Sequence, residues 1–277
     1  MPLAAVAAPD GRAVILSLNG WREQGIEVVD LAAGRVVQHL PQAGAFLGLA
    51  FSSDGKSLYA SGAASNQVYR YAWDGARATL ADSFPLAAAR SDTTPRFPGG
   101  LALSPDGRRL YVAENMADSL AVVDLSAGRV IQRLPAGHYP YAVAAGAGGE
   151  VFVSAWGAGT VAAFRPRPDG GLETAGTIEA GRHPSALLLS ADGARLFVAS
   201  ASTDRVVVVD TRSRAVVAVL ADSAPAGPSE GSTPDALALS ADGGRLLVAE
   251  ADNNAIAVFD LSERTAGPRS PGRATRS

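Results

Sequence analysis

Residues 183–222 consist of short apolar runs separated by turn residues. The runs cover residues 186–189, 195–199, 206–209 and 215–220, and Asp-Gly or Ser/Thr/Asp clusters lie between them. Runs of this length that are rich in Val and Leu and bounded by turn residues are typical of strands rather than helices. The pattern predicts a four-stranded antiparallel meander of about 40 residues, the size of one unit in several repeat folds.

The same meander recurs along the chain, marked by an Asp-Gly pair after its first strand. The pair occurs at residues 10–11, 54–55, 106–107, 192–193 and 242–243, and Ala-Gly at 147–148 takes its place in one divergent copy. Asp-Gly supplies the positive φ angles that a tight hairpin requires. The spacing between successive copies is typical of propeller blades and not of leucine-rich, ankyrin or tetratricopeptide repeats.

Six units follow from these markers. We predict an all-β fold: a β-propeller of four-stranded antiparallel blades, six repeats visible with the last incomplete, of a seven-bladed type. The propeller is predicted to span residues 1–262, with units at about 3–41, 43–86, 97–135, 138–178, 183–221 and 233–262. Residues 263–277 contain Arg, Pro and Gly without an apolar run, so we predict a disordered tail. An all-β sandwich or barrel accounts poorly for six near-copies.

Composition narrows the partners and the compartment. The net charge of −3 argues against nucleic acid as a partner, and no run approaches the ~20 apolar residues of a membrane helix. The absence of Cys excludes disulfides and Cys-ligated metals. Because no signal peptide is visible, the chain as written is expected in the cytoplasm; an N-terminal truncation would instead place the protein in the periplasm or outside the cell.

Residues 110–143 resemble the YVTN-type β-propeller repeat. Residues 111–114 (Tyr-Val-Ala-Glu) match its first signature run, residues 121–124 its Val-rich strand ending in Asp, and residues 137–140 its Gly-x-x-Pro segment before the next blade. Residues 183–210 match equally well. The resemblance implies the propeller fold and, for function, either a binding module or a lactonase-like enzyme.

A closer resemblance involves residues 19–22, 230–234 and 250–254. This combination is similar to the N-terminal propeller of bacterial proteins that continue into an alkaline-phosphatase-like phosphoesterase domain. The resemblance implies an exported protein with a companion phosphoesterase domain, and that domain is missing from this sequence.

Two sets of loops share one face of a propeller, which is commonly the binding face. They are the middle loops, which join the second and third strands of a blade, and the inter-blade loops, which join a fourth strand to the next blade. On this face we predict the following ligand-binding residues: Arg22, Arg96, Glu114, Asn115, His138, Tyr139, Trp156, Arg182, His183, Asp204, Glu250, Asp252 and Asn253.

Each of these residues also has a structural interpretation. The histidines with Glu114 and Glu250 suggest a metal site, yet a rim histidine more often packs a loop or faces solvent. The oxygen-rich loop 250–254 would suit Ca²⁺, although Asp and Asn commonly make turns through side-chain-to-backbone hydrogen bonds. Rim arginines bind anions or are simply solvated, and the tryptophans line a pocket or pack between blades.

The sequence carries no nucleophile elbow, phosphate-binding glycine loop or His-Glu-x-x-His motif. We therefore predict a non-catalytic platform that binds a protein or a small-molecule ligand, with no cofactor expected beyond a divalent cation such as calcium. The alternative is a metal-dependent propeller hydrolase of the lactonase type, in which axial carboxylates and Asn hold a cation that polarises a carbonyl. That enzyme requires a compact cluster of Glu114, Asp204, Glu250, Asp252 or Asn253.

Overall fold

The computed structural model describes residues 2–20, 23–87, 92–222, 231–261 and 275–276. The chain divides into two compact units, Met1–Pro135 and Ala136–Ser277. Helical structure in the described ranges is limited to three 3₁₀ turns, Ala63–Ser65, Asn115–Ala117 and Ala201–Thr203. Across those same ranges, none of the helical segments has the length and apolarity that crossing a membrane demands.

The first unit contains three antiparallel four-stranded sheets, each in simple meander order. Blade 1 consists of β1 (Pro2–Ala7), β2 (Ala13–Leu18), β3 (Gly25–Asp30) and β4 (Arg35–Pro41); blade 2 of β5 (Leu49–Phe51), β6 (Ser57–Ser61), β7 (Gln67–Trp73) and β8 (Ala78–Pro85); blade 3 of β9 (Pro98–Leu103), β10 (Arg109–Glu114), β11 (Ser119–Asp124) and β12 (Arg129–Pro135).

The second unit repeats the arrangement with three further sheets. Blade 4 consists of β13 (Pro140–Ala145), β14 (Val151–Ala155), β15 (Thr160–Pro166) and β16 (Leu172–Glu179); blade 5 of β17 (Pro184–Leu189), β18 (Arg195–Ser200), β19 (Arg205–Asp210) and β20 (Ala215–Ala221); blade 6 of β21 (Pro234–Leu239), β22 (Arg245–Glu250), β23 (Ala255–Asp260) and β24 (Thr275–Arg276).

Blades pack face to face within each unit, as in a β-propeller. In the first unit, one apolar core lies between blades 1 and 2 and another between blades 2 and 3. In the second unit, corresponding cores lie between blades 4 and 5 and between blades 5 and 6. A single sheet of this kind cannot bury both faces, so stacking supplies the core. The predicted all-β propeller fold with four-stranded antiparallel blades is confirmed.

The sixth blade differs from its prediction as an incomplete, three-stranded repeat. Its fourth strand, β24, comes from the predicted disordered tail and pairs Thr275 with Val258 and Arg276 with Ala257. Residues 262–274 and Ser277 lie outside the described residues. A short polar segment such as Thr275–Arg276 has no hydrophobic periodicity, and the sequence pattern therefore gave no sign of β24.

The Asp-Gly pairs are structural turns. In each of the five, the Asp Oδ1 accepts the backbone N–H two residues later at 2.9–3.0 Å, as Asp192 does from Ala194. Gly193 has φ +69° with open space around it, a conformation that favours glycine. Ser190 donates to Asp192, and this bond together with the backbone bond lowers the pKa of that carboxyl. These acids therefore hold hairpins and lie at the blade ends opposite the middle loops.

Candidate functional site

One backbone arrangement recurs where a middle loop meets the inter-blade loop that leads into the same blade. The residue before the blade's first proline has a left-handed backbone, and its carbonyl accepts an N–H from the residue after the second strand. The four pairs are Phe97 with Asn115, Tyr139 with Trp156, His183 with Ala201 and Thr233 with Ala251. Because the residue before proline normally adopts an extended conformation, this recurrence reflects a constraint of the scaffold.

The recurring arrangement also brings two side chains together. In blade 5, Ser202 Oγ lies 2.5 Å from His183 Nδ1. In blade 6, Thr233 Oγ1 donates to Asp252 Oδ2, also at 2.5 Å. Ser202 and Asp252 are both the second residue beyond the second strand of their blade. The scaffold thus fixes a meeting point, and the sequence of each blade decides which chemical pair occupies it.

Four aromatic and imidazole rings gather on the loop face of the second unit; we call His138, Tyr139, Trp156 and His183 the ring cluster. Trp156 and His183 stack with ring centroids 3.9 Å apart and planes 12° apart. His138 and Tyr139 stack at 3.9 Å and 30°. Trp156 and Tyr139 are each 37% exposed, so the cluster presents ring surface to solvent.

Gly157 allows the middle loop of blade 4 to approach the ring cluster. A Cβ at this position would lie 2.8 Å from His138 Cδ2 and 2.9 Å from Tyr139 Cδ2, closer than real Cβ contacts. Its backbone N–H donates to the His138 carbonyl at 3.0 Å, and the Trp156 N–H donates to the Tyr139 carbonyl at 2.9 Å. The rings are therefore held by backbone bonds from adjacent loops.

Asp204, a predicted ligand-binding residue, holds the inter-blade loop ahead of blade 6. Its carboxylate accepts backbone N–H bonds from Gly231 (2.6 Å), Ser232 (3.0 Å) and Thr233 (3.0 Å), and the Ser232 hydroxyl at 2.9 Å. Burial raises the pKa of Asp204, but these hydrogen bonds outweigh burial and leave the pKa below its ordinary value. In the first unit, Asn66 Oδ1 performs the same task for an inter-blade loop.

Glu114 is fully buried and bound on several sides within the first unit. Its carboxylate accepts Arg133 Nε at 2.8 Å and Nη2 at 3.0 Å, and the Ser119 hydroxyl at 2.6 Å. Arg96 Nη1 lies 3.8 Å away and its other terminal nitrogen binds Asp92 at 2.8 Å. The positive charges of the two guanidinium groups equal the negative charges of the two carboxylates, so the role of this network is to stabilise the structure of the loop region.

Arg133 was missed at the sequence level, although it lies in the fourth strand of its blade among apolar and polar neighbours. Its Nη2 also donates to the carbonyl of Leu86, which begins the preceding inter-blade loop. The one signal of an ion pair was a charged residue flanked by Leu134 within a strand of a predicted blade. Such a residue requires a partner because an unpaired buried charge is costly.

Side chains of the loop 250–254 form hydrogen bonds with other side chains of the second unit. Glu250 is almost fully buried, and Asn253 Nδ2 donates to its Oε2 at 2.8 Å, while Asp252 is bound by Thr233. Partial desolvation, and secondly the charge of Asp252, raise the pKa of the nearby Asp235, a residue that the sequence analysis did not single out. Over all described residues, no three or more His, Cys, Asp or Glu side chains are placed to hold a metal ion.

The remaining predicted residues have mixed positions. Asn115 starts the 3₁₀ turn of blade 3, and the Arg182 carbonyl accepts the Ser202 N–H at 3.4 Å while Arg182 itself is exposed. Arg22 lies outside the described residues. Arg96, Glu114 and Asn115 belong to the first unit, whereas the other described candidates belong to the second. Ser202 is the residue of the second unit that sequence reasoning overlooked, since a lone serine in a turn carries no signal of its own.

Two clefts of the second unit lie away from these residues. A cleft of about 590 Å³ is lined by turn residues of blades 4 and 5, including Glu150, Asp192, Asp210 and Arg214. Turns between strands one and two, and between three and four, form this surface. Of its acids, Asp192 is one of the hairpin acids described above, and the chemically distinctive side chains lie at the other end of the blades.

Comparisons with known proteins give one family match over part of the chain. Residues 87–202 match the family model described as SMP-30/Gluconolactonase/LRE-like region. The matched segment includes the whole ring cluster and ends at Ser202. No protein of curated function matches the chain at a significant level.

Several solved structures share the fold. The periplasmic gluconolactonase of Pseudomonas aeruginosa is 20% identical with a TM-score of 0.75, over 99% of this chain and 84% of that one. A protein from Bacteroides fragilis described as a candidate 6-phosphogluconolactonase is 18% identical with a TM-score of 0.74, over 99% and 82%. The hydrazine synthase of Kuenenia stuttgartiensis is 16% identical with a TM-score of 0.76, over 96% and 80%. These likenesses establish the fold alone, because one fold supports unrelated chemistries. The relationships to YVTN-type repeats and to phosphoesterase-linked propellers stay predictions.

Proposed function

We propose that this chain hydrolyses lactones at the ring cluster of the second unit, with His183 as the general base. The observation that carries the proposal is the way the His183 imidazole is held. Stacking on Trp156 fixes the plane of the ring, and the contact with Ser202 fixes its Nδ1 edge. An imidazole is the side chain best suited to accept and return a proton near neutral pH.

The ring cluster suits a small cyclic ester. Exposed faces of Trp156 and Tyr139 offer apolar ring surface, while the imidazoles of His138 and His183 offer polar atoms beside it. Sites for small ligands combine apolar and aromatic walls with a few fixed polar groups. The family match over residues 87–202 and the gluconolactonase names of the structural neighbours support this substrate class.

The proposal departs from a metal-dependent mechanism. The residues expected to form the cation site are engaged elsewhere: Glu114 by Arg133, Asp204 by the loop backbone, and Glu250 by Asn253. Because these carboxylate oxygens already accept hydrogen bonds from protein donors, this donor set does not fit a resident cation. Metal analysis of the purified protein, with activity measured before and after chelation, checks this part of the proposal.

Hydrolysis of δ- and γ-lactones, followed by acid release with a pH indicator, tests the function. His183→Gln is expected to lower kcat/KM by about 100-fold or more, the usual range for loss of a general base. The matched control is His39→Gln in β4 of the first unit, where the imidazole faces Glu23 and Glu27. That control is expected to retain activity.

Equal activity in the His183→Gln variant and the wild type would contradict the assignment of the base. Lactone binding by the wild type without turnover would instead support the non-catalytic platform. The sequence resemblance also implies a companion phosphoesterase domain, in which case the same loop face would bind the products of that domain. Co-purification of the chain with a phosphoesterase tests this alternative.

A further inference from the structure

We infer that Ser202 is the nucleophile of the proposed lactone hydrolysis and that His183 activates it, so that the reaction passes through an ester on this serine. The inference rests on the proposed function and names the atom that attacks the substrate. Its starting point is the 2.5 Å separation between Ser202 Oγ and His183 Nδ1. A nucleophilic serine requires a base within hydrogen-bond reach, about 2.6–3.2 Å, and this pair is slightly closer than that range.

The pair is positioned by the backbone on both sides. The Ala201 N–H donates to the His183 carbonyl at 3.1 Å, and the Ser202 N–H donates to the Arg182 carbonyl at 3.4 Å. Trp156 covers one face of the imidazole. The hydroxyl and Nδ1 are therefore already in contact, and less entropy is lost on reaching the reactive geometry.

Ser202 is also accessible. Its side chain is exposed, whereas the structural serines at the ends of the second strands, Ser61 and Ser200, are fully buried and bind backbone groups of neighbouring loops. A carbonyl carbon can approach an exposed hydroxyl at the rim of the ring cluster. The serine that contacts the imidazole is thus one that a substrate can reach.

The chemistry balances with water as the second reactant. Ser202 Oγ attacks the lactone carbonyl carbon and His183 Nδ1 takes the hydroxyl proton. The ring C–O bond then breaks, and the departing alkoxide takes that proton from the imidazolium, which leaves an acyl ester on Ser202. A water molecule activated by the same nitrogen attacks the ester, releases the hydroxy acid and returns the proton to Ser202.

Blade 6 provides an internal contrast for this pair. The same meeting point holds Thr233 and Asp252, where the hydroxyl donates to a carboxylate. A carboxylate is a far weaker base than an imidazole at neutral pH, and the threonine hydroxyl is engaged in a hydrogen bond between the two loops. The loop geometry therefore does not by itself require the His–Ser pair found in blade 5.

The absence of cysteine from the chain allows a site-specific test. Ser202→Cys introduces a single thiol beside His183, and Met116→Cys introduces one at the corresponding position of blade 3. Met116 is exposed, lies in the equivalent 3₁₀ turn and donates its N–H to the Arg96 carbonyl, but the neighbouring left-handed residue is Phe97 rather than a histidine.

The measurement is the rate of iodoacetamide alkylation against pH in full-length protein. A thiol next to an imidazole that can take its proton has a lowered pKa. We expect Ser202→Cys to react roughly tenfold faster at pH 7 than Met116→Cys, and the added change His183→Gln to remove the difference. Equal alkylation rates in the two single-cysteine proteins would overturn the inference, whatever the lactone assay shows.

Two further readouts separate this inference from the function on which it rests. A fluorophosphonate is expected to add to wild-type protein at the peptide containing Ser202 and to spare Ser202→Ala, with Thr233→Ala labelled like the wild type. Lactone turnover that survives unchanged in Ser202→Ala would overturn the nucleophile and leave the hydrolase standing. Labelling of Ser202 without turnover of any lactone would overturn the proposed function instead.

Discussion

Replacing Asp204 tests the interpretation that this acid holds a loop rather than a ligand. Asp204→Ala removes the acceptor for the N–H groups of Gly231, Ser232 and Thr233. Each buried donor left unsatisfied costs about 1–3 kcal/mol. Because Gly231 is exposed, water can replace part of the lost hydrogen bonding. We therefore use the lower end of that range, a destabilisation of about 3 kcal/mol for the three bonds.

The backbone of Asp204 adds a further contribution. Its φ is +47°, and a residue with a Cβ in the left-handed region costs about 1–2 kcal/mol, although Asp and Asn tolerate that region better than Ala. The expected loss of unfolding free energy for Asp204→Ala is therefore about 4 kcal/mol. At about 2–4 °C per kcal/mol for a chain of this size, Tm should fall by about 10 °C.

Two companion variants separate the hydrogen bonds from the backbone. Asp204→Asn keeps Oδ1, which accepts three of the four bonds, and Asn66 already holds the corresponding loop of the first unit with this oxygen. We expect Asp204→Asn to cost about 1 kcal/mol. Asp204→Gly relieves the left-handed strain and should fall between the two. Thermal unfolding followed by circular dichroism supplies the comparison. A fall below 2 °C for the alanine variant, or equal effects of Asn and Ala, would refute the anchoring role.

Two further predictions concern the scaffold. Arg133→Met leaves Glu114 buried without its main partner, so it should destabilise the protein by about 3–5 kcal/mol in urea unfolding, and Arg133→Met combined with Glu114→Gln should restore much of that loss; no rescue would contradict the buried-pair assignment. Hydrogen bonds from Ser126 and from the backbone N–H of Ala127 lower the pKa of Asp124 from 3.8 to about 2. Because the folded-state pKa is depressed, the associated stability is present above about pH 4 and is lost as pH falls toward 2; Tm measured between pH 5 and 2 should fall less in Asp124→Asn than in the wild type, and parallel curves would count against the hairpin role.

The blade repeat was predictable because the strand signal comes from residues that every copy shares. Asp-Gly fixes the first turn, Val-rich runs fix the strands, and a proline is the first residue of the first strand in most copies. β24 was not predicted because a strand of two residues leaves no periodic pattern in the sequence. The sequence pattern assigns the candidate residues to loops, but a loop position does not tell whether an acid faces solvent or accepts hydrogen bonds from protein donors.

Glu114 and Asp204 show the limit of that reasoning most clearly. Glu114 ends a second strand and Asp204 ends a middle loop, positions where a ligand site is common, yet their carboxylates are satisfied by Arg133 and by a neighbouring loop. Partners such as these lie 19 and 29 residues away in sequence and come from different segments, so only the tertiary structure reveals them. Ser202 was hidden for the opposite reason. Its partner, His183, was recognised, but nothing in the turn marked this serine among several.

The shared meeting point of the inter-blade and middle loops gives this architecture an evolutionary freedom. Since the left-handed residue and the backbone bonds recur in four blades, the two side chains that meet there can change together without disturbing the sheet. Blade 5 holds an imidazole and a hydroxyl, while blade 6 holds a hydroxyl and a carboxylate. Duplication of one blade thus copies this loop geometry along with the strands. Two substitutions are then enough to place a different pair of side chains at the meeting point.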